Sequence, residues 1–240
     1  METQIIGVVG GMGSFATLDF FRRILLAFPA TKEWERPRVI IDNNCTMPSR
    51  VRAILYNEKY QEVVEELTKS ISILLSGGAT DIVLACNTSH YFLKDILREH
   101  PEWQGKIVNI IEATCQEIHR QGIKNPYLIA TEGTIDTNIY PNALKKFGNE
   151  KILLPTAEEQ ILIREFIEAV KQNLVDSKIK EKFREYLNAI NSDCVILGCT
   201  EIPIIYNQTN MNYTLNKYVV DPLHCAIEIL KGRNKCYAKG

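Results

Sequence analysis

Two cysteines at the ends of two apolar runs are the residues of this chain best suited to chemistry. Residues 81–90 read DIVLACNTSH and residues 193–201 read DCVILGCTE, so Cys86 and Cys199 each precede hydroxyl or amide side chains. A thiolate can act as a base or a nucleophile, and a helix N-terminus beside a thiol lowers its pKa. The placement predicts two reactive thiols whose pKa values are lowered by the helix that follows each.

Disulfide and metal interpretations of these cysteines are weaker. The chain has seven cysteines, an odd number, and no C-x-x-C pair, whereas a disulfide framework or a zinc ribbon has regular cysteine spacing. His90, four residues after Cys86, could face that thiol as a partner base, ligate a metal or lie half-buried in a helix. A metal site would need further ligands, and only Cys199 is available, so we expect no metal.

Groups that could bind an anion surround the two thiols. Asn87, Thr88 and Thr200 follow the cysteines directly, and GVVGGMGS at 7–14 forms a glycine turn after a strand-like run. The turn does not match G-x-G-x-x-G, which favours a small carboxylate or phosphate over a nucleotide at the helix N-terminus. Arg50, in a loop after another strand-like run, could hold a carboxylate through two parallel hydrogen bonds.

The elements that must position these groups alternate between strands and helices. Strand-like runs lie at 5–9, 38–42, 81–85, 106–110, 126–130, 151–154, 194–198 and 217–220. Between them lie segments of helical period, at 17–28, 57–76, 158–174 and 177–190. Strands that are apolar on both faces and are separated by helices indicate an α/β fold with parallel sheets. Ligands of such sheets bind at the carboxyl ends of the strands, where the thiols, the glycine turns and the 43–50 loop are expected.

An internal repeat divides the predicted elements into two similar halves. A glycine turn at 10–14 precedes Cys86, and a second turn at 130–134 precedes Cys199 in the same order. This indicates two pseudo-symmetric, Rossmann-like lobes with the active site in the cleft between them. We expect residues 1–105 and 207–240 to form the first lobe and residues 106–206 the second. The last helix, at 221–232, should pack back onto the first lobe.

Composition excludes several classes of function. A net charge of −1 offers no bulk attraction to nucleic acid or to an anionic membrane. The sequence has no apolar stretch long enough to span a bilayer and no basic N-terminal region. The expectation is a cytoplasmic protein without nucleic-acid or membrane partners. A homodimer is also expected, because dimers are the commonest state of soluble enzymes.

Five motifs follow one another along the chain: IGVVGGMGS, the NN-x-x-x-P-x-R loop from Asn43 to Arg50, ACNTSHY, LIATEGTI and LGCTEIP. In this order they resemble the aspartate/glutamate racemase family, most narrowly its aspartate racemase branch. The resemblance implies an amino-acid racemase that uses neither pyridoxal phosphate nor any other cofactor. Cys86 and Cys199 would be its two catalytic acid/base thiols, and the roles of His90 and Glu201 stay open. The implied substrate-binding residues are Met12, Gly13, Asn44, Arg50, Asn87, Thr88, Thr131, Thr134, Lys171 and Thr200.

The implied reaction suits two thiols on opposite sides of one carbon. One thiolate removes the Cα proton and the other thiol delivers a proton to the opposite face, while fixed donors hold the carboxylate as charge develops. The hypothesis is interconversion of L- and D-aspartate. Alternatives are a glutamate or broad-specificity racemase, a single-cysteine lyase or amidase of the wider superfamily, and an amino-acid sensor without turnover.

Overall fold

Two parallel β-sheets form the framework of the protein. A computed structural model describes residues 3–148, 151–211 and 215–237, with side chains to residue 234. In the first sheet the strand order is β2-β1-β3-β4, and in the second it is β5-β6-β7. All neighbouring strands pair in parallel. The strands are β1 (Ile5–Gly10), β2 (Arg38–Asn43), β3 (Asp81–Leu84), β4 (Ile107–Val108), β5 (Tyr127–Ile129), β6 (Cys194–Leu197) and β7 (Tyr218–Val220).

Eleven α-helices in the described ranges connect and cover these strands. In the first half they are α1 (Ser14–Ala27), α2 (Arg50–Tyr56), α3 (Tyr60–Ser76), α4 (Leu93–Glu99) and α5 (Ile110–Arg120). The second half contains α6 (Glu132–Asp136), α7 (Ile139–Lys145), α8 (Ala157–Lys171), α9 (Ser177–Ala189), α10 (Ile202–Gln208) and α11 (Pro222–Tyr237). Short 3-10 helices lie at Glu33–Glu35, Thr88–Phe92 and Pro101–Trp103.

Burial explains why the central strands are continuously apolar. All four residues of β3 and all four of β6 are buried, because helices cover both faces of each sheet. The outer face of the first sheet packs on α2, α3 and α4, and that of the second packs on α8, α9 and α10. The inner faces of both sheets share one further core with α1, α5, α7 and α11. This common core joins the two lobes.

The strand order confirms the two-lobed α/β fold and supports the internal repeat. In the first lobe β1 lies between β2 and β3. In the second lobe β5 pairs with β6 on one side and meets Leu153 in a single parallel bridge on the other. The predicted strand at 151–154 is therefore reduced to that one bridge at Leu153. β1 and β5 occupy equivalent places, as do β3 and β6, which places a glycine turn and then a cysteine in each lobe.

Strand pairing differs from the predicted division of the chain at two places. β4 falls in the segment predicted for the second lobe, yet it pairs with β3 in the first sheet. β7 falls in the segment predicted for the first lobe, yet it pairs with β6 in the second sheet. In each lobe the last strand, β4 or β7, joins the sheet of the strand that carries the cysteine, and a helix follows it. The order of elements along the chain does not show this pairing.

Helix α11 returns to the first lobe, as predicted. It packs against α5 and α1, and its Leu230 carbonyl accepts a hydrogen bond from Gln4 at 3.0 Å. Arg233 of the same helix donates to the buried carboxylate of Asp81 at 2.6 Å. The described helices include none with the length and apolar character needed to cross a lipid bilayer.

Candidate active site

A narrow polar cavity lies where the carboxyl ends of β1, β3, β5 and β6 meet. Its volume is about 50 Å³. Both glycine turns, both strand-end cysteines and the end of the 43–50 loop contribute to it, as the sequence predicted. The cavity is lined by Met12, Ser49, Arg50, Val51, Cys86, Asn87, Thr88, Thr131, Lys171, Cys199, Thr200 and Glu201.

The first glycine turn is held in place by a threonine of α1. Thr17 accepts a hydrogen bond from the backbone N–H of Gly11 at 3.0 Å and donates to the carbonyl of Gly13 at 2.8 Å. Gly11 has φ of +82°, and a Cβ there would lie 2.4 Å from the backbone of Asn44. Only glycine fits this position, which brings the turn against the 43–50 loop and forms one wall of the cavity.

Cys86 is followed by an amide whose orientation is set from the other lobe. The Oδ1 atom of Asn87 accepts a 2.6 Å hydrogen bond from the hydroxyl of Tyr140, a fully buried residue of α7. The Nδ2 atom of Asn87 is buried and has no partner. An amide held through its oxygen presents its N–H₂ group as a donor, and buried donors of this kind normally bond to something. We infer that Asn87 Nδ2 is available to a ligand carboxylate.

Three hydroxyls meet across the lobes beside Cys86. The Oγ1 atom of Thr88 lies 3.0 Å from that of Thr131 and 2.9 Å from that of Thr134, and the latter two are 3.1 Å apart. Thr131 also caps the N-terminus of α6, where its hydroxyl oxygen accepts a hydrogen bond from the Thr134 N–H at 3.3 Å. Hydroxyls both donate and accept, so this cluster can reorient when an anion arrives.

Arg50 is anchored by backbone carbonyls and retains two unused donors. Its Nη1 donates to the carbonyls of Met47 (3.3 Å) and Pro48 (2.8 Å), and its Nη2 donates to that of Met12 (3.1 Å). Its Nε is buried without a partner. Of the five N–H donors of a guanidinium, one on Nε and one on Nη2 stay free, and these two can bind a carboxylate side by side.

Cys199 is buried and bonded to a carboxylate. Its Sγ donates to Oε2 of Glu201 at 3.0 Å, and Thr200 donates to the carbonyl of Ala85 at 3.2 Å. Burial and the adjacent Glu201 charge raise the pKa of Cys199 well above its ordinary value, although Lys171 lowers it in part. The predicted lowering of the thiol pKa is therefore wrong for Cys199, because desolvation and a neighbouring negative charge outweigh the helix terminus.

Lys171 brings positive charge to the same wall. It is the last residue of α8, and its Nζ donates to Glu168 at 2.9 Å. Burial works against its charge, but the bond to Glu168 and the negative charge of Glu201 outweigh it, and the net effect raises the pKa of Lys171. An ammonium group beside the cavity suits an anionic ligand.

His90 does not serve as a base for Cys86. Its Nε2 accepts the N–H of Ile110 at 3.3 Å, so Nδ1 carries the proton and donates to the carbonyl of Cys86 at 2.9 Å. Burial lowers the pKa of His90 to about 4. Both ring nitrogens of His90 bind backbone groups, so the neutral imidazole connects the backbone at Cys86 to the start of α5.

Three further predicted residues lie outside the cavity lining. Asn44 is turned away, and its Nδ2 donates to Glu66 of α3 at 2.8 Å. Its side chain anchors the loop and is not among the residues that line the cavity, so a contact of Asn44 with the ligand stays a prediction. Gly13 lies behind Glu201, and Thr134 contributes through its bond to Thr88.

Four residues that were not predicted also belong to the site or support it. Tyr140 comes from a helix of the opposite lobe and carries no local motif. Glu201 was left without a role, although the internal repeat could have indicated one, since it is the second residue after Cys199 just as Thr88 is the second after Cys86. Ser49 and Val51 line the cavity because they flank Arg50 at the start of α2.

Two α/β lobes enclose a polar cavity with unpaired N–H donors at their strand ends, which is where proteins of this architecture bind small ligands. The chain belongs to the Asp/Glu/hydantoin racemase family, whose sequence model matches residues 9–230, and it is thus an isomerase of the amino-acid racemase type.

Individual relatives differ in the substrate that their names carry. The chain is 26% identical over 219 residues to the broad-specificity amino-acid racemase RacX of Bacillus subtilis (strain 168), covering 84% of this chain and 92% of RacX. A glutamate racemase of Clostridium perfringens (strain SM101 / Type A) is 29% identical over 154 residues, which cover 62% of this chain and 57% of that enzyme. Among solved structures, the aspartate racemase of Picrophilus torridus superposes with a TM-score of 0.82 at 25% identity, covering 97% of this chain and 94% of that one.

Proposed function

We propose that this protein interconverts L- and D-aspartate without pyridoxal phosphate, with Cys86 and Cys199 as its two acid/base groups. The observation that carries the proposal is the arrival of one thiol from each lobe at a single cavity that also contains unpaired donors. Each thiol follows the equivalent strand of its lobe. Cys86 is close enough to act electrostatically on Cys199. Two such groups can stand on opposite sides of one carbon atom.

The chemistry requires a base, an acid and a stabilised carbanion. One cysteine, as thiolate, takes the Cα proton; the other, as thiol, gives its proton to the opposite face and becomes the thiolate. Negative charge moves onto the α-carboxylate during this step, and preformed donors stabilise it most when water is excluded. Asn87 Nδ2, unpaired and buried, is the best-placed donor, with the Thr88 cluster beside it.

The side-chain carboxylate of aspartate would be bound by the two cationic side chains of the cavity. Arg50 offers two free N–H groups, and Lys171 adds an ammonium at the same cavity. A substrate without a side-chain carboxylate would leave the free N–H groups of Arg50 unsatisfied, which costs binding energy. The likeness to an aspartate racemase structure supports aspartate over glutamate as the substrate.

The direct test is chiral chromatography of L-aspartate, L-glutamate and other amino acids incubated with the protein in deuterium oxide. D-aspartate carrying deuterium at Cα is the expected product. Cys86→Ser and Cys199→Ser should each reduce racemisation in both directions at least about 100-fold, the lower range for loss of an acid/base group. Cys225→Ser, which changes a cysteine outside the cavity lining, should leave the rate unchanged.

Three outcomes would contradict the proposal. Near-wild-type racemisation by Cys86→Ser or Cys199→Ser would refute the two-thiol mechanism. A covalent adduct seen by mass spectrometry would indicate the single-cysteine lyase or amidase. Faster turnover of glutamate, or comparable turnover of many amino acids, would replace the aspartate assignment with a glutamate or broad-specificity racemase.

A further inference from the structure

Ser89 is a buried residue whose hydroxyl makes an unusual hydrogen bond. The residue is 0% exposed, and its Oγ donates to the Sδ atom of Met12 at 2.8 Å, across 77 residues of sequence. A thioether sulfur is a weak acceptor, so it compensates poorly for the water that a buried hydroxyl loses. A buried serine with such a partner calls for an explanation beyond packing.

The usual partners of a helical serine are already occupied at this position. A serine in a helical turn commonly donates to the carbonyl three or four residues before it. For Ser89 these carbonyls belong to Cys86 and Ala85. The carbonyl of Cys86 accepts from His90 at 2.9 Å, and that of Ala85 accepts from Thr200 at 3.2 Å. The serine hydroxyl instead bonds to the first glycine turn.

Met12 supplies the side chain through which that turn is held. Residues 10–13 read Gly-Gly-Met-Gly, and glycine leaves the backbone free to adopt many conformations. Thr17 fixes two backbone groups of the turn, and Ser89 fixes its one side chain. Met12 is 5% exposed and lines the cavity. Because a methionine side chain has three rotatable bonds, the hydrogen bond restricts a group that would otherwise be mobile.

The backbone of Met12 connects this anchor to ligand binding. Its carbonyl accepts from Nη2 of Arg50 at 3.1 Å, and the second N–H of that nitrogen is one of the two donors left for a carboxylate. A shift of the turn would therefore redirect that donor. Ser89 lies in the 3-10 helix that follows Cys86. Its bond to Met12 thus joins the loop of the thiol to the turn that holds the guanidinium.

We propose that Ser89 is a positioning residue that fixes Met12 and, through the carbonyl of Met12, the guanidinium of Arg50. The inference rests on the proposed aspartate racemisation and adds to it a residue outside the cavity lining. A guanidinium held in place before the ligand arrives binds a carboxylate without the entropic cost of ordering the turn at that moment. Ser89 therefore contributes to binding of the side-chain carboxylate of the substrate without touching it.

Steady-state racemisation of L- and D-aspartate by Ser89→Ala tests the inference. The carboxylate bound by Arg50 keeps its charge between ground state and transition state, so a poorly placed Arg50 raises KM more than it lowers kcat. KM should rise about three- to tenfold, within the range for loss of one hydrogen bond, and kcat should change less than about twofold. The control is Thr209→Val, which removes another buried hydroxyl, one that donates to the Tyr206 carbonyl at 2.6 Å in the second lobe. It should change neither constant.

A double-mutant cycle tests whether Ser89 acts through Met12. Met12→Leu keeps a side chain of similar size but lacks the sulfur acceptor, and by itself it should raise KM by a factor similar to that of Ser89→Ala. Once the acceptor is absent, Ser89→Ala should raise KM further by less than about twofold. Because Met12→Leu removes the same hydrogen bond, it tests the inference even where Ser89→Ala does not fold.

Methionine methyl NMR tests the anchor without any turnover. The chain has four methionines, so carbon-13 labelling of their methyl groups gives a simple spectrum, in which the line missing from Met12→Leu is that of Met12. In Ser89→Ala this line should move and narrow, because an unanchored side chain averages over several rotamers. In Thr209→Val it should stay in place.

Four results would overturn the inference. They are a KM of Ser89→Ala within about twofold of wild type, a fall in kcat at constant KM, an equal effect of Ser89→Ala with and without Met12→Leu, and an unchanged Met12 methyl line. Failure of the proposed function is distinguishable, since it would appear as the absence of aspartate racemisation by the wild-type protein, and the inference would fall with it.

Discussion

The hydroxyl of Tyr140 provides a sensitive test of how the ligand is held. Tyr140 is fully buried and donates a 2.6 Å hydrogen bond to Oδ1 of Asn87, which leaves Nδ2 of the same amide facing the cavity unpaired. In Tyr140→Phe the ring packing is retained and only the hydroxyl is lost. The amide oxygen then has no donor, so the amide can rotate and present its oxygen to the ligand carboxylate.

The expected loss follows from the energy of an unsatisfied buried group. A buried carbonyl oxygen left without a donor costs about 1–3 kcal/mol. With about 1.4 kcal/mol per tenfold change, kcat/KM for aspartate should fall about 5- to 140-fold if the whole cost appears in the reaction. The fall should be similar for L- and D-aspartate, because racemisation has an equilibrium constant of one and both enantiomers share the amide.

A matched control and a double-mutant cycle complete the test. Tyr127→Phe also removes a buried tyrosine hydroxyl, which lies 3.1 Å from that of Tyr186 in the second lobe, and it should leave kcat/KM within about twofold. If Tyr140 acts through Asn87, Tyr140→Phe should add little to the loss caused by Asn87→Ala. A kcat/KM for Tyr140→Phe within twofold of wild type, in a folded protein, would refute the assigned orientation of the amide.

Two further predictions follow from Arg50 and His90. Arg50→Lys keeps the charge but removes the planar pair of donors, so kcat/KM for aspartate should fall at least about tenfold, and that for alanine, which has no side-chain carboxylate, should fall less. Burial lowers the folded-state pKa of His90 to about 4 from 6.5, so the unfolded chain binds more protons between these values. The free energy of unfolding should therefore fall by about 3 kcal/mol as pH drops from 6.5 to 4 and stay level above 6.5. Urea denaturation at several pH values measures this change, and the free energy of unfolding of His90→Gln should depend less steeply on pH. The same pH dependence in both proteins would contradict the assignment of a neutral, buried His90.

Much of the scaffold could be predicted because it depends on local patterns. Seven of the eight predicted runs became strands, and the central strands β3 and β6 are buried on both faces, as their continuous apolar runs predicted. The run at 151–154 became a single bridge. The lobe limits were misplaced at β4 and β7, because the sheet that a short strand joins is decided by long-range packing and not by its own residues. The homodimer and the cytoplasmic location stay predictions.

For the candidate site as well, the sequence predicted which residues are present but not how their side chains are oriented. The sequence identified both thiols and most of the cavity lining, since residues at the ends of parallel strands must meet at one edge of a sheet. It could not show that Asn44 turns toward Glu66 or that His90 binds only backbone groups. Side-chain direction in a loop is set by whichever partners the folded chain brings near, and those partners are remote in sequence.

By itself the sequence determined which atoms could react: two cysteines, each at the end of an apolar strand and each followed by donors. Only the tertiary structure decided how those atoms differ. Burial and the Glu201 carboxylate raise the pKa of Cys199, where local reasoning from a helix terminus predicted the opposite sign. The physical reason is that desolvation and Coulomb interactions depend on distances across the fold, and these distances are set only when the two lobes have folded and packed together.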